Sequence, residues 1–419
     1  MYYFKFKGRK LYCERVCLEE LAQTFGTPLY VYSYKTFVEH FLKIKKAFSK
    51  VSPLICYSVK ANSNLSLLKI LVDKGAGLDI VSGGELFRAK KINCPPQRIV
   101  YASVGKTEKE IKEAINYGIL AFNVESLAEL KRINSLAGKF KKKVDVALRF
   151  NPDISAYTHR YITTAKKGTK FGMASEVIRE IILNRGNFPN LNIVGIHIHI
   201  GSQITKAGPF IRAIKKAKAL IDYANRKGLF LNYFNIGGGL GIVYQKERPQ
   251  TAESFAKKIL PLVKGLKLKL ILEPGRFIMG NAGVLITRII YIKETPYKRF
   301  IIIDAGMNDL IRPALYSAYH QILPLSKSLK ADSSAKLSDV VGPVCESADF
   351  LGKNRVLNVE EGAYLAVLGA GAYSFSMASN YNSRCKPAEV LVKDKKFYLI
   401  RKRETYQDLI RKEILFEKF

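Results

Sequence analysis

Short apolar, β-branched runs alternate with longer segments of helical spacing through the middle of the sequence, and this alternation limits the fold more than any other feature. Eight runs are predicted to be strands: 54–59, 78–81, 99–102, 120–124, 144–150, 193–199, 233–236 and 269–273. The predicted helices between them include 62–74, 107–117, 125–138, 174–185, 206–227 and 252–264. Because parallel strands need helices to cover them, these units indicate an α/β fold with a closed TIM-type (β/α)8 barrel. An open doubly wound sheet is the alternative.

The sequence changes in character after Pro274. The runs 284–292, 300–304, 363–368 and 389–392 are strand-like and separated by turn residues, and the N-terminal run 2–12 is strand-like as well. We therefore expect two domains: a barrel over 31–274, and a mainly β domain of 1–30 and 275–419 that contributes substrate and dimer contacts. A short helix is expected to begin at Thr405, with Leu409, Ile410 and Ile414 on its apolar side.

Composition restricts the class of protein. Of the 419 residues, 48% are apolar and 25% are charged, which are the proportions of soluble globular proteins. No uninterrupted apolar run is long enough to cross a bilayer, and the N-terminus lacks the pattern of a signal peptide. The sequence thus predicts a cytoplasmic protein without a membrane partner. The six cysteines form no CxxC pair, which predicts free thiols in a reducing compartment and no metal site.

The formal charge of +34 could attract nucleic acid or anionic membrane, or could simply keep the protein soluble. The lysines are spread over most helical segments and form only short clusters, such as the one within 139–143. Since a basic surface without a recognition motif is weak support for nucleic-acid recognition, no specific nucleic-acid partner is expected.

Reactive side chains in a barrel of this kind lie where strands end and the following loops begin. Residues of unusual type occur at six predicted strand ends: Lys60, Asp79, Arg149, His199, Gly237–Gly239 and Glu273. Each has an ordinary explanation by itself, since a lysine is usually a solvated charge, a histidine can be a core residue and a glycine triplet is often a turn. Their common position at one rim favours a shared site.

A cofactor accounts for this set better than direct acid–base chemistry does. A lysine in a partly apolar setting, as in 57–62 (YSVKAN), can lose its proton and form a Schiff base with the aldehyde of pyridoxal 5'-phosphate. The glycine triplet and the turn 273–276 (EPGR) would let backbone N–H groups approach the phosphate. Glu273 would keep the pyridine nitrogen protonated, and His199 would stack on the ring. The barrel is therefore predicted to bind pyridoxal phosphate.

Five runs carry a family resemblance that covers nearly the whole chain: 57–62 (YSVKAN), 78–86 (LDIVSGGEL), 197–203 (HIHIGSQ), 237–239 (GGG) and 273–276 (EPGR). They resemble the pyridoxal-phosphate decarboxylases with an alanine-racemase-type barrel, which act on ornithine, arginine and diaminopimelate. Other runs resemble the diaminopimelate branch of that family. They are 151–153 (NPD) leading to Thr158 and His159, 170–172 (KFG), 307–316 (MNDLIRPALY), 342–349 (GPVCESAD), 371–373 (GAY) and 380–382 (NYN).

The resemblance implies a role for each matched residue. The implied catalytic residues are Lys60 and Cys345, the latter as the proton donor after carbon dioxide leaves. The implied cofactor-binding residues are Lys60, Asp79, Arg149, His199, Ser202, Gly237, Gly238, Gly239, Glu273, Gly275, Arg276 and Tyr373. The implied substrate-binding residues are Arg276, Arg312, Tyr316, Glu346 and Tyr373. The two arginines and Tyr316 would grip the distal carboxylate, and Glu346 would take the distal ammonium.

The same resemblance implies a reaction and an assembly. The reaction is decarboxylation of meso-2,6-diaminopimelate at its D centre to L-lysine, the last step of lysine biosynthesis. In this family Cys345 and Glu346 reach the site from a partner subunit, which implies a homodimer with shared active sites.

Three other functions fit parts of the pattern. A decarboxylase of a basic amino acid such as ornithine would share Lys60, His199 and Glu273 but has no use for Arg312. A racemase on the same barrel would do better with a cation than with Glu273 at the ring nitrogen. A non-catalytic relative would be expected to lack Lys60 or Cys345, and both are present.

Overall fold

The computed structural model describes residues 3–155, 168–327 and 335–416. Its contacts divide the chain into two compact units. One unit comprises 40–243 and 247–278, and the other comprises 1–39, 244–246 and 279–419. We call them the barrel unit and the β unit. Thr158 and His159 of the sequence pattern lie outside the described residues.

Eight parallel strands close into a barrel in the first unit, as the sequence predicts. In chain order the barrel strands are Leu54–Ser58, Gly77–Ile80, Ile99–Ala102, Ala121–Val124, Val144–Phe150, Leu191–Ile198, Tyr233–Asn235 and Lys269–Leu272. Each strand pairs with its sequence neighbour, and the eighth pairs with the first through Ile271 and Leu54. This closure excludes the open sheet that was the alternative.

Helices cover the outside of the barrel and agree with the predicted ones to within a few residues. They are Tyr34–Ala47, Leu65–Asp73, Gly83–Lys91, Glu108–Tyr117, Leu127–Lys139, Ser175–Leu183, Gly208–Arg226 and Ala252–Val263. The helix Glu108–Tyr117 shows how the sequence sets the bounds, because Thr107 and Glu110 form a capping box and Gly118 ends the helix with a φ of +75°. Two of these helices, Tyr34–Ala47 and Gly83–Lys91, are not among the predicted ones. Two glycines open the second, and Ser82 caps it by accepting from Glu85 N.

The barrel core consists of apolar side chains from almost every strand. Leu54, Cys56, Val100, Ala121, Ala147, Val194, Tyr233 and Ile271 form one buried cluster. Alternate residues of each strand point inward, so a barrel of eight strands fills its own centre. The strands are therefore fixed relative to one another, and their carboxyl ends can hold side chains in a constant geometry.

The second unit is mainly β and includes the N-terminal segment, as predicted. Strands Phe4–Lys7, Lys10–Cys13 and Val16–Cys17 form a small antiparallel sheet, so the predicted strand over 2–12 is instead a hairpin that turns at Gly8. A nine-stranded sheet contains Leu29–Ser33, Gly283–Glu294, Arg299–Ile303, Ile322–Pro324, Lys336–Val341, Phe350–Leu357, Tyr364–Leu368, Ala388–Lys393 and Lys396–Arg401. Leu29–Ser33 lies between Gly283–Glu294 and Ala388–Lys393, which joins the N-terminal segment to the C-terminal part.

The remaining helices are short: Leu18–Phe25, Arg276–Met279, Arg312–Tyr316 and Tyr406–Ile410. The last begins after Thr405 with a capping box, as expected, but it ends at Ile410. Ile414 lies beyond it and is 94% exposed, so the predicted apolar side does not extend that far. Within the described parts of the chain, no helix is long and apolar enough to cross a membrane.

Replacing Ile271 with alanine tests the barrel core. Ile271 is fully buried in the cluster, so Ile271→Ala should lower the free energy of unfolding by about 2–5 kcal/mol, through lost burial and a residual cavity. Ile414→Ala is the matched control and should change it by less than about 0.5 kcal/mol. Denaturant unfolding of both variants measures the difference, and equal effects would contradict the packing described.

Candidate active site

Polar residues converge at the carboxyl end of the barrel, because parallel strands of a closed barrel all end on one face. Lys60 lies in the turn Val59–Ala61 directly after the first strand, and Asp79 lies in the second strand. Arg149 lies near the end of the fifth strand. His199, Gly237–Gly239 and Glu273 directly follow or closely follow strands six, seven and eight. The structure therefore brings the six predicted features of the barrel to one rim.

Lys60 and Asp79 form a salt bridge at this rim. Lys60 Nζ lies 2.6 Å from Asp79 Oδ2, with the lysine side chain 34% exposed and the aspartate side chain fully buried. Ser58 Oγ donates to the same oxygen over 2.6 Å. Burial and the nearby Glu273 raise the pKa of Asp79, and Lys60 opposes this shift. The lysine amine is thus held in place by a buried partner while part of the side chain stays accessible.

Three donors from three barrel strands surround the buried carboxylate of Glu273. Asn123 Nδ2 and Asn235 Nδ2 donate to Oε1 over 3.1 and 2.6 Å, and His197 Nε2 lies 3.2 Å from Oε2. Burial by itself raises the pKa of Glu273, but the interaction with His197 and the charge of Lys60 outweigh it and hold this pKa below its usual range. Glu273 is therefore an ionised carboxylate inside the barrel.

None of the three donors to Glu273 was predicted from the sequence. A signal for two of them is present, because Asn123 and Asn235 are amides within otherwise apolar strands. A buried amide needs hydrogen-bond partners, so each pointed to a polar group inside the barrel. His197 lies within the sixth strand and His199 directly follows it. The two are two residues apart, so strand alternation does not distinguish them, and the sequence does not show which one contacts Glu273.

His199 is half-buried and neutral. Burial and the positive charges of Arg149 and Lys60 hold its pKa well below the ordinary value for histidine. Gly238 N donates to Nδ1 over 3.3 Å, which requires an unprotonated nitrogen at that position. An uncharged, fixed imidazole is a flat surface on which an aromatic ring can lie.

The three glycines after the seventh strand approach other backbone segments so closely that no side chain fits. A Cβ on Gly238 would lie 2.0 Å from Glu273 O, and one on Gly239 would lie 2.3 Å from Gly201 O. Gly237 and Gly239 also have positive φ angles of +69° and +101°. Among the described residues, the N–H groups of Gly239 and Gly275 donate to no other protein atom. Nearby, Arg276 Nη2 and Nε donate to Ser202 Oγ over 3.0 and 3.2 Å.

Arg149 is fixed by residues that the sequence analysis missed. Its guanidinium pairs with Glu125 Oε1, and the other oxygen of Glu125 accepts from Gly172 N over 2.9 Å. Glu129 in turn accepts from Glu125 N over 2.8 Å and from Lys106 Nζ over 2.6 Å, and the lysine side chain is fully buried. Burial lowers the pKa of Lys106. Nothing in the sequence distinguishes these ions from surface charges, so no signal could have found them.

In the β unit, Arg312 is buried against two aromatic side chains. Its Nη1 lies 2.7 Å from His320 Nε2, and its guanidinium lies over the Tyr244 ring at 4.5 Å. His320 Nδ1 lies 2.8 Å from Leu368 O and must donate to it, so Nε2 accepts from Arg312. His320 and Tyr244 were not predicted. Tyr316 lies at the end of the same short helix that begins at Arg312.

The other predicted residues of the β unit are exposed or half-buried. Cys345 is exposed, and its N–H donates to Asn382 Oδ1 over 2.8 Å. Glu346 Oε1 accepts from Tyr381 Oη over 2.6 Å. Tyr373 is half-buried and has a φ of +56°, which is unusual for an aromatic residue.

Comparison with known proteins decides the family. Residues 34–280, more than half of the chain, match the model of the pyridoxal-dependent decarboxylase family that describes its pyridoxal-binding domain. The chain belongs to the pyridoxal-dependent decarboxylases. The resemblance found in the sequence is confirmed.

Among the relatives of this decarboxylase is the diaminopimelate decarboxylase of Aquifex aeolicus, which is 49% identical over 97% of this chain and 96% of that protein. The crystal structure of the Helicobacter pylori diaminopimelate decarboxylase complexed with L-lysine is 43% identical, with a TM-score of 0.90 over 94% of this chain and 98% of that one. The M. jannaschii enzyme in complex with L-lysine is 38% identical, with a TM-score of 0.94 over 99% and 98%.

The residues at the barrel rim fit pyridoxal phosphate, the cofactor of this family. An ionised carboxylate suits a protonated pyridine nitrogen, and an accessible lysine amine suits an aldehyde. The glycine backbone, where a Cβ would collide, offers N–H groups to a phosphate. The donor set therefore matches both ends of the cofactor.

Asp309, in the motif 307–316, gives a pH test of the β unit. It is 1% exposed, and burial raises its pKa to about 7. The folded state keeps the proton of the Asp309 carboxyl group, whereas the unfolded state releases it near pH 4. The contribution of this group to the free energy of unfolding is therefore fully present below pH 4 and should be lost as pH rises through about 7. In Asp309→Asn the residue cannot ionise, so the fall in the free energy of unfolding between pH 4 and 8 should be smaller by up to about 4 kcal/mol. Free energies of unfolding from pH 4 to 8 measure it, and parallel curves for the two proteins would contradict the burial described.

Proposed function

We propose that this decarboxylase removes the carboxylate at the D centre of meso-2,6-diaminopimelate and releases carbon dioxide and L-lysine, the last step of lysine biosynthesis. The full-length similarity to diaminopimelate decarboxylases supports the substrate, and the relatives that hold L-lysine support the product. The observation that carries the chemistry is the ionised Glu273 at the same barrel rim as Lys60.

In this proposal Lys60 Nζ holds the aldehyde carbon of pyridoxal phosphate, and Asp79 positions the amine. Bound there, the cofactor supplies a ring that accepts the electron pair left on Cα when carbon dioxide departs. Glu273 keeps the pyridine nitrogen protonated, since its charge is fixed before substrate arrives. The neutral His199 holds the plane of the ring.

The phosphate end is assigned to the glycine side of the rim. The N–H groups of Gly239 and Gly275, with Gly237, Gly238, Ser202 and Arg276, would bind its oxygens. Arg149 is assigned to the part of the site near the cofactor ring, because its positive charge lowers the pKa of His199. Tyr373 of the β unit is proposed to lie beside the cofactor.

The distal end of the substrate carries both a carboxylate and an ammonium, so its binding pocket needs a positive side chain for the first and a negative side chain for the second. Arg312 keeps its charge in a buried site and is proposed to bind the distal carboxylate with Arg276 and Tyr316. Glu346 is proposed to accept from the distal ammonium, and Tyr373 to contact the substrate. A substrate that ends in an amine alone has no distal carboxylate for Arg312 to bind.

Cys345 Sγ is proposed to deliver the proton that replaces the lost carboxylate on Cα. Its exposure and that of Glu346 support the inference that both serve the site of a second copy, so that the active unit is a homodimer. The six cysteines are free, in keeping with the predicted cytoplasmic location, which stays a prediction.

Carbon dioxide release from diaminopimelate, lysine, ornithine and arginine, measured side by side, tests the proposed reaction. Release from diaminopimelate should exceed the others by at least about 100-fold, because the other three lack the distal carboxylate. Lys60→Ala should abolish it, since the variant lacks the amine to which the aldehyde is assigned. Preference for ornithine or arginine would assign the chain to another branch of the family.

Gly238→Ala tests the glycine cradle. The added Cβ would meet Glu273 O at 2.0 Å, so the backbone must move, and the affinity for pyridoxal phosphate should fall by about 10-fold or more. Gly105→Ala is the matched control on the same rim, because nothing lies within 4 Å of its Cβ. Cofactor titration by absorbance compares them, and equal affinities would remove Gly238 from the site.

Arg312→Ala tests the distal pocket. Loss of a charge-assisted contact should lower kcat/KM for diaminopimelate by about 10- to 100-fold. Cofactor absorbance should stay unchanged. Arg312→Lys keeps the charge without the paired donors, so its kcat/KM should lie between those of the natural sequence and Arg312→Ala. An equal loss of cofactor and turnover in Arg312→Ala would show that the residue has another role.

A further inference from the structure

The positive charge of the barrel is concentrated on its amino end, opposite the rim described above. Eight connections lead from a helix into a barrel strand there: 48–53, 74–76, 92–98, 118–120, 140–143, 184–190, 227–232 and 264–268. They contain ten charged residues, and all ten are lysine or arginine. The whole chain, by comparison, has 69 basic and 35 acidic residues. The connections therefore carry a larger excess of basic over acidic residues than the chain as a whole.

We define the amino face as these connections together with the last four residues of each preceding helix and the first two of each following strand. It carries eighteen basic residues and three acidic ones. Fifteen of the cations are exposed, and among the described residues none of the fifteen forms a salt bridge. The cations of the barrel that do form ion pairs lie elsewhere, as Lys69 and Lys106 do.

Helix geometry accounts for only part of this charge. A lysine in the last turn of a helix is stabilised by the negative end of the helix dipole, an effect that fades within one turn. Lys143 lies four residues beyond the helix Leu127–Lys139, and Lys269 lies in a strand, so the dipole does not explain these two cations. Fifteen unpaired cations on one face repel one another, and a polyanion would relieve that repulsion.

The arrangement of the cations indicates the shape of the partner. Exposed cations precede six of the eight strands, so they surround the barrel axis and do not form a single stripe. Two apolar side chains also protrude on this face before strands six and seven: Leu183, which is 53% exposed, and Phe230, which is 76% exposed. A nucleic-acid duplex would cover one stripe of such a face, whereas a bilayer presents a plane of anions and an apolar layer beneath it.

We propose that the amino face of the barrel is a docking surface for an anionic phospholipid membrane. Its cations contact the lipid phosphates, and Leu183 and Phe230 enter the headgroup layer. Peripheral contact of this kind needs no membrane-spanning helix. It also leaves the carboxyl end of the barrel facing away from the lipid. A membrane partner is contrary to the prediction made from the sequence, because composition gives the number of cations and not their placement. The proposal does not depend on the proposed reaction.

Vesicle sedimentation of the full-length, cofactor-loaded protein tests the proposal. Vesicles of phosphatidylcholine and phosphatidylglycerol in about equal parts should bind it, vesicles of phosphatidylcholine alone should not, and binding should weaken steeply from about 0.05 to 0.5 M salt. The triple variant Lys139→Gln, Lys143→Gln, Lys264→Gln should bind the anionic vesicles about 100-fold more weakly, at roughly fivefold per cation.

A matched variant separates the face from the net charge. Lys395→Gln, Lys396→Gln, Lys402→Gln removes three exposed lysines of the β unit and should change vesicle binding by less than about twofold. Equal loss in both variants would mean that only the total charge matters, and would overturn the proposal. So would equal binding to neutral vesicles, or salt-dependent binding to duplex nucleic acid without binding to anionic vesicles.

Discussion

A negative charge that is removed from water must be stabilised by hydrogen bonds or by an opposite charge. At Glu273 the hydrogen-bond donors of three strands stabilise the buried carboxylate, and the rest of the site depends on that arrangement. Asn123, Asn235 and His197 bring their donors from strands four, seven and six. No single strand or loop could supply all three, so only the closed barrel makes an ionised carboxylate stable at this point. The apolar core below it keeps the strands in register and thereby keeps the donors in place.

The two buried carboxylates of the rim differ in the direction of their shifts. Burial raises the pKa of Asp79, whereas His197 and the charge of Lys60 hold the pKa of Glu273 low. When the environments of two acids separate their pKa values in this way, the two acids can serve different purposes. Glu273 offers a permanent charge, while Asp79 orients the Lys60 amine through a 2.6 Å contact. The neutral His199 completes a site whose charges are set before any ligand binds.

The sequence predicted the barrel well because its strands are short apolar runs and several of its helices have clear caps, as at Thr107 and Gly118. It also placed Lys60, His199 and Glu273 on one rim, since the ends of parallel strands share a face. It did not predict Glu125 or Lys106, because an ion carries no local sign of its burial. Asn123 and Asn235 were also not predicted, although an amide within an apolar strand indicates a polar group inside the barrel. The helix 83–91 was missed for a local reason, the two glycines at its start. The cations come together on one face only when the barrel closes, so their placement could not be predicted from the composition.

The ionised Glu273 is proposed to keep the ring nitrogen of the cofactor protonated, and the chemistry of the site depends on this pairing. Nuclear magnetic resonance of the protein loaded with pyridoxal phosphate labelled with nitrogen-15 in its ring reports that proton directly. The account predicts a protonated nitrogen from about pH 6 to 9 in the natural sequence, and an unprotonated one at pH 9 in Glu273→Gln. An unprotonated nitrogen in the natural sequence, or a chemical shift that Glu273→Gln leaves unchanged, would contradict it.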